Sequence, residues 1–180
     1  SALVARDIDI LQPMAEAGLA KVALSVTTLD RKLARMMEPR AASPDTRVET
    51  IRALSNAGIP TAVMFAPVIP ALNDMEMEAV LERAANAGAV SAGYVLLRLP
   101  LEIKDLWKEW LEAKVPDKAA HVMSLIRGMR DGKDYDATWG ARMKGTGPYA
   151  DLTAQRFRLA IKRLGLNRER KPLDLTQFRR

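Results

Sequence analysis

Residues 57–67 read AGIPTAVMFAP, in which a helix end at Ala57-Gly58 is followed at once by a short apolar strand. The same design occurs twice more, with Ala17-Gly18 before residues 22–27 and Ala87-Gly88 before residues 93–99. Glycine just past a helix is the usual left-handed stop, because it has no Cβ to clash with the backbone. The three strands are nearly continuous in apolar residues, which is typical of strands buried on both faces of a helix-covered parallel sheet. We therefore expect an α/β fold with its chemistry at the carboxyl ends of the strands.

Composition and charge exclude several classes of protein. The chain has 180 residues, 48% hydrophobic and 28% charged, which is ordinary for a soluble domain with a real core. It has no cysteine and a single histidine, His121, so it holds no disulfide, no thiolate-bound metal or iron–sulfur cluster and no His-rich metal site of its own. No apolar run approaches the roughly 18–20 residues of a membrane helix, and residues 1–20 lack the order of a signal peptide. We expect a cytoplasmic protein without membrane contact.

Start and stop signals place the remaining helices. Ser43-Pro44-Asp45 predicts a helix start, with a capping serine, a proline at the first position and an acid in the first turn. Asn73 with Glu76 fits a capping box for a helix running to Ala87. Residues 101–114 and 117–130 predict two amphipathic helices, the second carrying His121 as a partly buried structural residue.

Residues 131–149 are rich in glycine, charge and aromatic rings, with no apolar period, and predict a long functional loop. A last helix is expected over residues 151–164, stopped by Gly165. The predicted organisation is a half-barrel at 1–100, a helical extension at 101–166 and a basic tail at 167–180. That tail carries five basic and two acidic side chains, so it holds half of the net charge of +6.

Six segments together resemble the carboxyl-terminal half of a radical S-adenosylmethionine (SAM) protein of the group related to spore photoproduct lyase, often called DNA repair photolyase-like. In chain order they are VALSVTT (22–28), MEPRAASP (37–44), ALSNAGIP (53–60), APVIPALND (66–74), GYVLLRLPLEIKDLW (93–107) and GKDYDATWGARMKGTGPYA (132–150). The resemblance implies a partial TIM-type (β/α) barrel of about three parallel strands. In that family a Cys-x₃-Cys-x₂-Cys loop after the first strand binds a 4Fe–4S cluster, which cleaves SAM reductively to a radical that abstracts hydrogen from substrate. Here that loop is absent, so the resemblance implies a truncated chain, inactive alone, whose partner is the missing amino-terminal half.

The resemblance assigns the cofactor's ribose and methionine to polar groups at the end of the first strand. Ser25 or Thr27 would bind the ribose; the alternative is a bond to neighbouring backbone. Arg40 would bind the methionine carboxylate through its guanidinium fork, and Glu38 would accept from the amino group. The alternative for Arg40 is a surface ion pair with Glu38 or with Asp45.

Val68, Ile69 and Pro70, which end the second strand, would supply an apolar slot for adenine with backbone groups at its edge. The alternative is an ordinary strand-to-helix turn. No metal ligand is expected within this chain, and no tightly bound cofactor.

The substrate side is predicted to combine one strand-end cation with the long loop. Arg98 interrupts an apolar strand end, where a charge is costly unless it is paired or faces the barrel mouth. Its alternative is an ion pair with Glu102. The loop contributes Lys133, Tyr135, Trp139 and Arg142. Cations interleaved with aromatic rings suit stacking and phosphate contact, and equally suit a folded cap over the barrel.

Two further expectations concern partners. An alternative function is a non-enzymatic nucleic-acid-binding α/β module that uses the loop and the basic tail. Against it, Asp131, Asp134 and Asp136 leave the loop nearly neutral. A half-barrel also exposes strand edges and the barrel-facing side of its sheet, which predicts self-association.

Overall fold

The computed structural model describes residues 2–168 and 172–177, which form one three-stranded sheet with helices. The strands are β1 (Val22–Ser25), β2 (Thr61–Val68) and β3 (Ser91–Leu96). The α-helices, in chain order, are α1 (Ile8–Glu16), α2 (Arg31–Met37), α3 (Pro44–Asn56), α4 (Met77–Asn86), α5 (Ile103–Lys114), α6 (Pro116–Gly128), α7 (Ala141–Lys144) and α8 (Pro148–Leu164). Short 3₁₀ helices, Ala2–Asp7 and Asp74–Glu76, precede α1 and α4.

The sheet is parallel, in the order β1-β2-β3. Because the strands are parallel, the chain between one strand and the next crosses back along the sheet, and helices form these connections. Val22 pairs with Thr61, and Phe65 pairs with Tyr94. Helix α3 packs on β1 and β2, α4 packs on β2, and α8 packs on α4. This confirms the α/β fold class, and the three parallel strands with their helices are consistent with part of a TIM-type barrel.

The two faces of the sheet differ in burial. Along β1, Val22 and Leu24 are buried while Ala23 and Ser25 are exposed, and the buried side chains join the core under α3 and α4. On β2, Val63 and Phe65 are fully buried, whereas Ala62, Met64 and Ala66 are only partly covered. Burial of the sheet on both faces was therefore the wrong expectation, because the helices of this chain cover one face and small residues line the other.

A second apolar cluster packs over the strand ends. Its buried members come from α2, the connections after β2 and β3, α5 and α6: Leu33, Ile69, Leu72, Leu99, Leu111, Val122, Met123 and Ile126. Trp107 and Trp110 stack at its margin, with ring centroids 5.0 Å apart, and Trp110 Nε1 donates to the carbonyl of Met36. The two tryptophans are thus packing residues, as expected.

Most helix signals are confirmed, with three corrections. Ser43 caps α3 by accepting from the N–H of Thr46, and Gly165 ends α8 in the left-handed conformation. The capping box at Asn73 is wrong, because its side chain does not cap and is used elsewhere. His121 is exposed rather than partly buried. The loop at 131–149 contains the short helix α7.

Candidate functional site

The carboxyl ends of the strands carry a dense set of polar contacts, at the edge that the sequence predicted. Asn73 is fully buried, and its amide joins the ends of β1 and β2. Its Nδ2 donates to the carbonyls of Thr27, at 2.8 Å, and Pro67, at 3.0 Å. Its Oδ1 accepts from the N–H of Ile69 at 2.7 Å. One amide thus pairs three backbone groups that have no partner within the sheet, and it fixes the spacing of the two strand ends.

Beside β1, Glu38 forms the second polar centre of this edge. Its Oε2 accepts from Arg47 Nη2 at 2.8 Å and lies 3.4 Å from the hydroxyl of Thr27. Arg47 also donates to the carbonyl of Ser25, at 2.9 Å, and to the carbonyl of Ala42. Arg47 was missed by sequence reasoning, since an arginine on a helix reads as part of a solvated face. It holds Glu38 against the end of β1.

The predicted ribose and carboxylate ligands differ in accessibility. Ser25 is exposed on the open face of the sheet, whereas Thr27 is buried and its hydroxyl reaches the carbonyl of Ala66 at 3.3 Å. Arg40 is exposed in the turn after α2 and forms no hydrogen bond or ion pair with the residues that the structure describes. Its expected alternative partners are taken, because Glu38 pairs with Arg47 and Asp45 pairs with Arg31 and Arg83.

Val68, Ile69 and Pro70 are buried, and their side chains belong to the packed interior. The carbonyl of Val68 accepts from the N–H of Leu97 at 2.9 Å, and the N–H of Ile69 is bound to Asn73. The backbone edge of this turn is therefore occupied by protein contacts. The adenine slot at these three residues stays a prediction. If adenine binds there, the N–H of Ile69 is not free to donate to it, because it already donates to Asn73.

The connection between β2 and α4 is also tied to β1 and α8. Glu76 accepts from the hydroxyl of Thr28 and from the N–H of Leu29, both at 2.6 Å. The hydroxyl of Tyr149 donates to buried Asp74 at 2.6 Å. Burial of the ring, with this hydrogen bond to Asp74, raises the pKa of Tyr149 to about 12.

At the end of β3, the structure brings together part of the predicted substrate side. Arg98 Nη2 donates to the hydroxyl of Tyr135 at 3.3 Å. The guanidinium of Arg142 stacks on Trp139, 4.3 Å from the ring centroid, and the indole itself is 83% exposed. Lys133 is exposed. These residues form two contact pairs, and Arg98 pairs with Tyr135 rather than with Glu102.

Arg130 is a further residue that sequence reasoning missed. It follows α6, is 2% exposed, and donates to the carbonyls of Ala141, at 2.8 Å, and Leu97, at 3.1 Å. It therefore ties the long loop to the residue that follows β3. An arginine at a helix end gives no sequence signal of burial, because the contacts that bury it come from residues distant in the chain.

Two cavities flank the sheet. One, of about 500 Å³, lies at the carboxyl end between α2 and α3, and Arg35, Glu38, Pro39 and Arg47 are among its lining residues. The larger, of about 1070 Å³, lies at the amino end and along the open face, lined by residues such as Ala23, Gly58, Ala62, Gly88 and Asn167. The larger cavity is mostly apolar in its side chains, so its size alone does not mark it as a chemical site.

Residues 3–84 match the model of the radical SAM superfamily. Uncharacterised proteins of Mycobacterium bovis and Mycobacterium tuberculosis are 29% identical over 127 residues, which is 69% of this chain and 37% of theirs. An uncharacterised protein of Acidianus two-tailed virus is 31% identical over 93 residues, which is 49% of this chain and 30% of its own. The chain thus spans roughly a third of the length of these relatives. No solved structure matches it.

The superfamily implies SAM and a 4Fe–4S cluster. The chain has no cysteine. Among residues 2–168 and 172–177, no group of three or more His, Asp or Glu side chains is arranged to hold a metal ion. This chain therefore does not fit the cluster. For SAM, three of the predicted ligands, Ser25, Glu38 and Arg40, have side chains that reach solvent at the carboxyl edge. None of the described helices is long and apolar enough to cross a membrane.

Proposed function

We propose that this chain supplies the SAM-facing and substrate-facing part of a radical SAM enzyme, of the group related to spore photoproduct lyase. The observation that carries the proposal is the superfamily match over residues 3–84, which ends within α4 and covers both β1 and β2. The parallel sheet supports it, since active sites of such folds lie at the carboxyl ends of the strands. In the enzyme as a whole, the cluster would supply the electron for reductive cleavage of SAM, and the resulting radical would abstract hydrogen from the substrate.

In this proposal the residues of this chain bind SAM and orient it. The hydroxyl of Ser25 is available to the ribose, and the exposed guanidinium of Arg40 to the methionine carboxylate, which an arginine fork grips with two parallel hydrogen bonds. Glu38 keeps an oxygen available for the amino group while Oε2 is held by Arg47. Arg47 and Asn73 act as positioning residues, because they fix Glu38 and the strand ends without facing the ligand.

The cluster ligands must come from residues that this chain does not contain, so no step of the radical reaction is assigned to it. The substrate of the whole enzyme follows only from the resemblance, and repair of nucleic acid is its proposed class. The competing interpretation, a nucleic-acid-binding module, depends on a basic tail whose residues 169–171 and 178–180 lie outside the described residues.

The test is anaerobic reconstitution of the longer polypeptide that contains this chain together with a Cys-x₃-Cys-x₂-Cys segment. We expect a brown, oxygen-sensitive protein that releases 5′-deoxyadenosine from SAM under reductant. Arg40→Gln should reduce the release through a higher KM for SAM, because it removes a carboxylate contact. The matched control is Arg52→Gln. Arg52 is exposed, pairs with Glu49 on its own helix and donates to the carbonyl of Asn86. A polypeptide that never binds a cluster would overturn the proposal.

A further inference from the structure

Two guanidinium groups lie near the carboxyl end of β3 without a carboxylate partner. Arg98 follows the strand, and its Nε is buried with no hydrogen-bond partner among the residues that the structure describes. Its Nη2 reaches only the hydroxyl of Tyr135. Arg130 is almost fully buried, and its hydrogen bonds go to two backbone carbonyls. Both arginines are held by hydrogen bonds. Arg98 is held by the hydroxyl of Tyr135, and Arg130 is held by the carbonyls of Ala141 and Leu97.

The charge of this pair is not neutralised by a direct contact. In the described part of the chain, no carboxylate lies within 4.0 Å of either guanidinium, although eight arginine–carboxylate pairs exist elsewhere in it. The neighbouring carboxylate of Asp134 is taken by Arg127 and Lys108.

Burial lowers the pKa of Arg130; Asp136 and Tyr135 oppose this effect, and the charge of Arg98 adds to it. A buried cation without a counter-ion is costly. An unpaired buried cation of this kind is expected at an anion-binding site. A bound anion would pair with it, and the pairing would offset the cost of burying the charge.

We propose that Arg98 and Tyr135 bind an oxyanion of the substrate, a carboxylate or a phosphate group, in the positive potential of Arg130. The Nε–H of Arg98, which is buried and unpaired among the described residues, is one donor. The hydroxyl of Tyr135 is a second, because it accepts from Arg98 and its own hydrogen is free for the anion. Together these two donors suit the oxygens of a carboxylate or a phosphate group. The assignment of this oxyanion to a substrate rests on the proposed function; anion binding itself does not.

The test uses the 180-residue chain, labelled with ¹⁵N and titrated with sodium phosphate or with sodium acetate. Each titration is made at constant ionic strength against sodium chloride, and the arginine Nε–H resonances are followed. We expect the Arg98 resonance to shift saturably, and the anion with the lower Kd identifies phosphate or carboxylate as the group recognised. No saturable shift with either anion, or a shift no larger than that of exposed Arg52, would overturn the proposal.

Variants separate the site from general attraction to a basic protein. Arg98→Gln should weaken binding about tenfold or more, and Tyr135→Phe by a smaller factor, since a hydrogen bond to a charged group exceeds a neutral one. Arg52→Gln should leave the affinity unchanged. If Arg98→Gln does not fold, Tyr135→Phe carries the test, because it removes one oxygen and keeps the ring. Equal affinity for Tyr135→Phe and the unaltered chain would contradict the site.

The titration contains neither SAM nor a cluster, so its outcome is independent of the radical chemistry. Release of 5′-deoxyadenosine with no anion binding would sink this inference alone. Anion binding by a polypeptide that never assembles a cluster would leave the site in place and remove the proposed enzyme.

Discussion

The two ends of the same three strands differ in chemistry. At the carboxyl ends, buried polar side chains such as Asn73, Thr27 and Arg130 hold the backbone in one arrangement. At the amino ends, the larger cavity is lined by small and apolar residues such as Ala62 and Gly88 together with a few polar ones such as Ser55. A choice of site by cavity volume alone favours the amino end. Buried polar groups are costly to hold in one arrangement and often mark functional sites, so a choice by this criterion favours the carboxyl end. The two criteria therefore point to opposite ends of the strands, and our proposal follows the pre-organised polar groups rather than the larger volume.

The largest effect should come from removing the amide that joins β1 to β2. Asn73→Ala leaves the N–H of Ile69 and the carbonyls of Thr27 and Pro67 without their partner. Because each buried group left unpaired costs about 1–3 kcal/mol, we expect a loss of about 3 kcal/mol or more in the free energy of unfolding. Equilibrium unfolding in urea measures it.

The matched change at the amino end is Ser55→Ala. Ser55 donates to the carbonyl of Gly88 at 3.0 Å beside the larger cavity, where water can replace it. We expect a loss of about 1 kcal/mol or less, near the net value of one hydrogen bond. Equal losses for Asn73→Ala and Ser55→Ala would show that the two ends do not differ in the way described.

The sequence predicted the parts of the fold that depend on local chemistry. Gly18, Gly58 and Gly88 have positive φ at the ends of helices, as the Ala-Gly pattern indicated. The serine and proline that begin α3 act as expected. These features succeed because a cap or a helix stop is decided within four residues.

The parts that failed depend on tertiary contacts. Asn73 fits a capping box by its spacing, but its amide is used across the strand ends. Arg47 and Arg130 gave no signal, since all but one of the partners described for them lie 9 to 33 residues away in sequence. Arg47 and Arg130 were therefore beyond the sequence pattern, whereas residue type alone was enough to propose Ser25, Arg40 and the partly buried Arg98 as site residues.

A second prediction concerns the open face of the sheet. Small residues such as Ala23 and Ala62 leave this face uncovered in the described chain, so we expect self-association of the isolated chain at tens of micromolar, roughly the range in which exposed apolar surface associates. Ala62→Arg should weaken it about tenfold, because a buried interface would then enclose an unpaired charge. Sedimentation equilibrium measures both. A stable monomer of the unaltered chain in this range would contradict the prediction.

A smaller effect is expected from Tyr149, which joins α8 to the carboxyl edge through Asp74. Its folded pKa of about 12 exceeds the ordinary value of 10.0, so the neutral phenol is favoured in the fold. The resulting stability is fully present below pH 10 and is lost as pH rises through about 12. Tyr149→Phe should remove this part of the pH dependence of unfolding, which urea midpoints at several pH values measure. An unchanged alkaline slope in the variant would assign it to other groups.

The central claim is that the carboxyl edge, rather than the larger cavity, receives SAM. The most direct measurement is a titration of the ¹⁵N-labelled chain with SAM, followed by backbone chemical shifts. Without cluster contacts to the methionine end, we expect a Kd of roughly millimolar, or about −4 kcal/mol. The account predicts saturable shifts at Ser25, Glu38 and Arg40, and a weaker response in Arg40→Gln. Shifts confined to Gly58, Gly88 and Asn167, or micromolar binding that Arg40→Gln leaves unchanged, would contradict it.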